Sequence, residues 1–322
     1  MSVARIFSLT MVLLVMVGGC SGDGSSNDVY PSKPITIIVP YAPGGGGDTY
    51  TRAIALQAQD MLGTKVFVEN RAGGSGTIGV GSVARAKADG YTLGFVSSSP
   101  VVIAPHLLNV PYDPGSDLTY LARFLVSANP VLSRADAPYK SFEQLLAFAK
   151  ANPGKLRWST AGINGASHIA TLAAFQQEGV EATFVPMQGS SEVMAGLLGG
   201  TVDLGVISDY AGPLAAGDIQ VLAEIGPLPI ADLPHIPTFK ALGYPLAPTI
   251  FFGLAGPGEL PPEVVAKWDE TMAAITASDE FKAVAQRLNG EVAYLNHAQF
   301  QPRIVGDIDS MAEALRSLGM LE

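Results

Sequence analysis

The chain has 322 residues, 48% of them hydrophobic, with 19 basic against 29 acidic side chains and a formal net charge of −10. That balance excludes a nucleic-acid binder, which neutralises phosphates with clustered Lys and Arg. A single cysteine excludes an intramolecular disulfide and a thiolate metal centre, so stability must come from a packed core, and the chain is long enough for two lobes.

Residues 1–19 read as a signal peptide: Arg5 precedes an apolar run, Ile6 to Val17, that is too short to be a permanent membrane span. Val17-Gly18-Gly19-Cys20 fits a bacterial lipobox, which makes Cys20 the predicted lipidation site and the protein lipid-anchored, in the periplasm or on the outer face of the cytoplasmic membrane. Residues 20–30 then form a small, polar tether. Cleavage removes Arg5 and no acid, deepening the charge to about −11.

Beyond the tether, strand-like and helix-like segments alternate, which favours parallel sheets covered by helices. Ile35 to Val39 is β-branched and reads as a buried strand; Thr51 to Leu62 is a helix with Asp48 as candidate N-cap and Gly63 as its stop. Lys65 to Glu69, Tyr91 to Val96 and Leu118 to Val126 are further strands, with a helix at Ile78 to Lys87. The second series starts with a capping box, Ser141 to Gln144, opening a helix through Lys150. Strands follow at Leu156 to Ala161, Ala182 to Val185, Val202 to Ser208 and Ile219 to Ile225, with helices from His168 to Gln177 and Glu192 to Leu198. The chain returns through a strand at Thr249 to Ala255 and ends in helices at Pro262 to Ala277, Glu280 to Leu288 and Phe300 to Leu318. The layout predicts two α/β lobes, residues 31–125 plus 250–322 and residues 126–249, joined by two hinge crossings. A ligand between them would sit where loops at the carboxyl ends of strands converge.

The densest motif is Pro34 to Asp48, in which a β-branched strand feeds Gly44-Gly45-Gly46-Gly47 and an acidic residue. Such a loop leaves backbone N–H groups free to hold an anion without basic side chains. It is no dinucleotide fingerprint, because Thr49 stands at the third glycine position, and it lacks the Gly-Lys-Ser/Thr of a P-loop. Asp48 would cap the helix or fix the loop rather than touch an anion. Arg71 is placed either to neutralise a ligand carboxylate or to pair with Glu69 and stiffen its loop. Ser97, Ser98 and Ser99 offer hydroxyls, but a nucleophilic serine needs a Gly-x-Ser-x-Gly elbow, and none occurs. His106, His168, His235 and His297 are scattered, without the i, i+4 spacing of a metal pair. His168 stands at a helix N-terminus, in a packing role or against ligand. Ser190 and Ser191 read as N-caps, and Gln188 precedes them. Asp209, just past a strand, reaches the crevice or lies in a surface turn. No cofactor, metal or catalytic residue is expected.

The chain resembles the Bug-type solute-binding proteins, the extracytoplasmic receptors of tripartite tricarboxylate transporters. The resemblance runs from about Pro31 to the C-terminus and is carried by the order and spacing of several motifs. These are the glycine loop, Val68 to Gly79, Ala88 to Leu93, Val110 to Pro114, Ala151 to Leu156, Thr160-Ala-Gly162 with His168, Leu197 to Asp203 and Pro234 to Thr238. It implies a type II periplasmic-binding-protein fold closing over a small mono- or dicarboxylate, with no enzymatic chemistry, a monomer, and membrane permease subunits as partners. It implicates Tyr41, Gly45, Gly46 and Asp48, with Ser98, Thr160, Ala161 and His168 facing them; Gly47, Gln188 and Asp209 complete the candidate set. Met187-Gln188 departs from the aromatic and lysine usual there. Two rivals share the sequence: a sensory receptor signalling to a membrane kinase through the same pocket, and an exported serine hydrolase, for which the residues give no elbow or base.

Overall fold

The computed structural model describes residues 29–321, so the predicted leader, Cys20 and most of the tether lie outside the described residues. Two sheets organise the chain. The first has six strands in the order β11-β4-β10-β3-β1-β2, namely Gly290–Leu295, Leu118–Ser127, Ile250–Pro257, Thr92–Ser97, Ile35–Val39 and Val66–Asn70. The second has five, β7-β6-β8-β5-β9: Ala182–Phe184, Leu156–Thr160, Leu204–Val206, Pro130–Arg134 and Ile219–Glu224.

β1, β2 and β3 run parallel, as do β6, β7 and β8. Besides β4, which is antiparallel to both β10 and β11, each sheet holds a strand opposed to both neighbours, β10 in the first and β5 in the second. These are the strands through which the chain arrives from the other sheet: β4 leads through residues 128–129 into β5, and β9 leads through residues 225–249 into β10. Entering against the grain turns the carboxyl ends of β1 and β3 toward those of β6 and β8.

β1 is buried along its length except for Thr36, as a β-branched run covered on both faces should be. Helix α1, Gly46–Leu62, packs Tyr50, Ile54, Ala58 and Leu62 on one stripe, and Gly63 closes it in the left-handed region at φ 66°. Tyr50 joins Phe95, Phe124, Phe252 and Phe281 in an aromatic cluster with centroids 5.0–6.4 Å apart. In the second lobe α4 (Phe142–Ala151), α5 (Ala166–Glu178) and α6 (Ser190–Leu198) cover the sheet, with Trp158 fully buried beneath α5. The short α7 (Ala211–Ala216) also belongs to the second lobe, and the first lobe is completed by α2 (Thr77–Ala84), α3 (Ala104–Leu107), α8 (Pro262–Ala277), α9 (Asp279–Arg287) and α10 (His297–Ser317).

Several predicted boundaries shift. α1 begins five residues before Thr51, because the glycines take helical geometry once Gly45 has served as N-cap; Asp48 is therefore inside the first turn, not at the cap. The Ser141 hydroxyl accepts the Gln144 amide as a capping box requires, but the returning Gln144 Oε1 accepts from Lys140 N instead. β5 and β11 are strands that the periodicity did not predict. α6 has Gly189 as N-cap, without side-chain capping by Ser190 or Ser191.

Candidate functional site

Three helix N-termini, those of α1, α5 and α6, converge between the sheets. The cleft they border is lined by Tyr41, Gly45 to Asp48, Thr160, Ala161 and His168, all expected from sequence, and by Phe95, Ser97, Ser99, Asn129, Ser167 and Ser208. Ile250 and Phe252 supply apolar floor. Its free volume is about 60 Å³, room for roughly four or five waters.

On the first lobe, Asp48 braces the glycine loop from within. Its carboxylate accepts from Gly44 N at 3.0 Å, from Arg52 Nε at 3.0 Å and from Asn70 Nδ2 at 2.9 Å, and Asn70 also donates to the Tyr41 carbonyl. Burial alone would push the Asp48 carboxyl up; the hydrogen bonds from Arg52, Gly44 and Asn70 outweigh it and hold the group below the usual carboxylate range. Of the loop amides, Gly44 N is taken by Asp48 and Gly46 N by the carboxylate of Asp209 in the other lobe, at 2.8 Å. The amides of Gly45, Gly47 and Asp48 have no protein acceptor among the described residues. The expectation of a wholly unoccupied cradle is thereby corrected: part of it already holds an internal anion.

On the second lobe, Gly162 turns the chain at φ 129° and Asn164 lies in the left-handed region at φ 61°, which lets residues 161–165 fold back over α5. His168 stacks on Trp158, ring centroids 5.2 Å apart and 9° from parallel, and meets Phe184 edge-on at 4.4 Å. Its Nδ1 accepts the Asn164 amide, so the neutral ring carries its proton on Nε2. Burial pushes its pKa down to about 4, which makes His168 a neutral donor at the cleft, not a cation. Asn129, on the first crossing, donates Nδ2 to Ser167 Oγ at 2.8 Å, while its buried Oδ1 has no partner.

The lobes touch across the cleft. Besides Gly46 with Asp209, the Ala166 amide donates to Ser99 Oγ at 3.0 Å, Ser191 Oγ to the Pro43 carbonyl at 3.2 Å, and Ser75 Oγ to the Ile163 carbonyl. Among the described residues no Lys or Arg lines the cavity. Arg71 pairs with Glu69 at 2.7 Å on the surface.

Three predicted site residues are not among those lining the cleft: Asp209, whose carboxylate reaches the Gly46 amide from the second lobe, Ser98 and Gln188. Ser98 is buried with its hydroxyl unpaired, facing Val102, Phe251 and Met311 behind β3 rather than the cleft. Side chains alternate along a strand, so Phe95 and Ser97 share the cleft face, and Ser99 rejoins it at the following helical turn. That alternation was the signal for choosing Ser97 and Ser99 over Ser98. Gln188 is exposed and gives only its backbone N–H, to Glu192, at 2.7 Å. Among the described residues no group of His, Cys, Asp and Glu could hold a metal ion.

Residues 50–318 match the TctC family, described as the tripartite tricarboxylate transporter family receptor. The chain belongs to this family. The receptor is 30% identical over 272 residues to Protein BugT of Bordetella pertussis, covering 82% of each chain. It superposes on the periplasmic binding protein BugD with a TM-score of 0.83 at 28% identity, over 91% of its own length and 99% of BugD. A structure described as R. palustris Rpa4515 with adipate matches with a TM-score of 0.83 at 26% identity, covering 90% and 98%. The fold is that of periplasmic binding proteins, and the family and these neighbours are binding proteins, not enzymes. Among its described residues no helix is long and apolar enough to cross a membrane.

Proposed function

We propose that the receptor captures a small organic carboxylate outside the cytoplasm by closing its lobes, residues 31–125 with 250–322 and residues 126–249, and delivers it to the permease of a tripartite tricarboxylate transporter. Lipidation of Cys20 would keep it at the membrane face. The observation that carries this reading is the set of amides at Gly45, Gly47 and Asp48 without a protein acceptor among the described residues, with the neutral donor His168 lining the same cleft and no Lys or Arg among the described residues that line it. Backbone donors at a helix N-terminus hold an anion while leaving the site uncharged. The adipate in the R. palustris neighbour supports a carboxylate as the cargo class.

Several such donors on a desolvated carboxylate support sub- to low-micromolar affinity. A thermal-shift screen of organic acids, followed by calorimetry on those that stabilise, tests this. At least one carboxylate should raise the melting temperature and titrate to a single site; no response across a broad panel contradicts it.

A further inference from the structure

Ser98 is a buried hydroxyl that the carboxylate-binding reading leaves unused. It is 3% exposed, its Oγ has no partner among the described residues, and it opens the helical turn after β3 without capping it. The cause is the face it takes. Ser97 and Ser99 line the cleft, whereas Ser98 between them lines a second cavity behind β3. The chain around β10 divides in the same way: Ile250 and Phe252 floor the cleft, while Thr249 and Phe251 line the cavity behind it. The opposite walls are α10 and residues 245–249 of the second crossing, which places this cavity at the hinge.

The hinge cavity has a free volume of about 260 Å³, above the ~150 Å³ that suffices for a benzene ring. Its inner walls are apolar and buried, formed by Val102, Ile103, Leu246, Pro248, Phe251 and Met311. Asp307 and Ser310 stand closer to solvent, and the Asp307 carboxylate is spent on Arg303 at 2.8 Å. Among the described residues no Lys, Arg or His lines this cavity. A charged molecule would lose its water there without gaining a partner, which excludes the carboxylates that suit the cleft. A hydrocarbon would leave the Ser98 hydroxyl orphaned. A neutral molecule that brings one oxygen fills the apolar space and satisfies that hydroxyl, removing the cost of an unpaired buried group.

We infer that this cavity is a second ligand site, set at the hinge and separate from the cleft, for a small neutral molecule with an apolar ring or short chain and one oxygen bonded to Ser98. Cyclohexanol is the probe, titrated against the full mature chain by ligand-observed NMR. It should bind saturably at one site with a dissociation constant of about 1 mM or tighter. Cyclohexylammonium and cyclohexanecarboxylate, which carry the same ring, should displace it only at about tenfold or higher excess. Ser98→Ala should weaken cyclohexanol about three- to tenfold, while the empty protein melts no lower than wild type because an orphaned hydroxyl has been removed. Ala314→Phe fills the cavity from α10 and should remove binding, which decides the matter if Ser98→Ala does not fold. If neither variant folds, the displacement ranking of the wild type decides it. Absence of saturable binding, unchanged affinity in either folded variant, or displacement by a charged analogue at equal concentration overturns the inference. Each of these outcomes leaves the carboxylate reading of the cleft standing.

Discussion

His168 shows how burial changes what a residue type can do. A histidine at a helix N-terminus in a carboxylate site invites a cationic role, but the Trp158 and Phe184 faces remove its water and push its pKa down to about 4. Carboxylate affinity should therefore show no inflection near pH 6.5 when measured by calorimetry between pH 8 and 5. Stability behaves differently: because the folded pKa lies below the ordinary value, the contribution is full above pH 6.5 and is lost as pH falls toward 4. His168→Gln should flatten that slope in urea titrations at pH 7 and 4.5, whereas an unchanged slope would mean the ring is not the titrating group. The glycine loop and His168 were legible because glycine runs and helix starts leave marks in sequence. Ser98 and Gln188 were misplaced because the reading counted hydroxyl and amide groups without assigning each to a strand face. Asn129 was missed because a crossing segment has no periodicity to mark it.

Glu224, the last residue of β9, ties the two crossings together. Its Oε1 accepts from Asn129 N at 3.1 Å on the first crossing and from Gly226 N at 2.9 Å at the start of the second. The other oxygen is buried without a partner, with the unpaired Tyr210 hydroxyl nearby, and burial pushes the carboxyl up to about 7. A folded pKa above the ordinary value gives stability that is full below about pH 4.5 and is lost as pH rises through 7. Glu224→Gln keeps an acceptor for both amides and cannot ionise. It should raise stability at pH 8 by roughly 2 kcal/mol and change little at pH 5, read from urea midpoints. Equal effects at both pH values would show that Glu224 does not titrate in this window. The alternating α/β order was readable from hydrophobic runs, but β5 opens on Pro130, which ordinarily interrupts a strand, and β11 is a half-exposed edge strand with a weak pattern. Both strands exist because a neighbouring strand supplies the ladder, information that sits elsewhere in the chain.

Among the described residues, four hydrogen bonds outside the strand ladders hold the lobes against each other, and each joins a loop beside the cleft to its opposite wall. Gly46 is the tightest of these approaches. The three heavy atoms nearest a Cβ built on it are Asp209 Oδ1 at 2.5 Å and Asp209 Cγ and Ser208 Oγ at 3.5 Å. These nearest atoms all belong to the second lobe, so bulk at this position obstructs first the meeting of the lobes and the loop amides. The two-lobed plan was visible in the sequence as two α/β series, but this contact was not, since it joins residues 163 positions apart. The measurement that tests the account most directly is a calorimetric titration of wild type and Gly46→Val with the acid that wild type binds. The predicted result is a loss of affinity of about a hundredfold or more, with the melting temperature of the empty protein nearly unchanged. Equal affinity in the two proteins would contradict capture of a carboxylate at this loop between closing lobes.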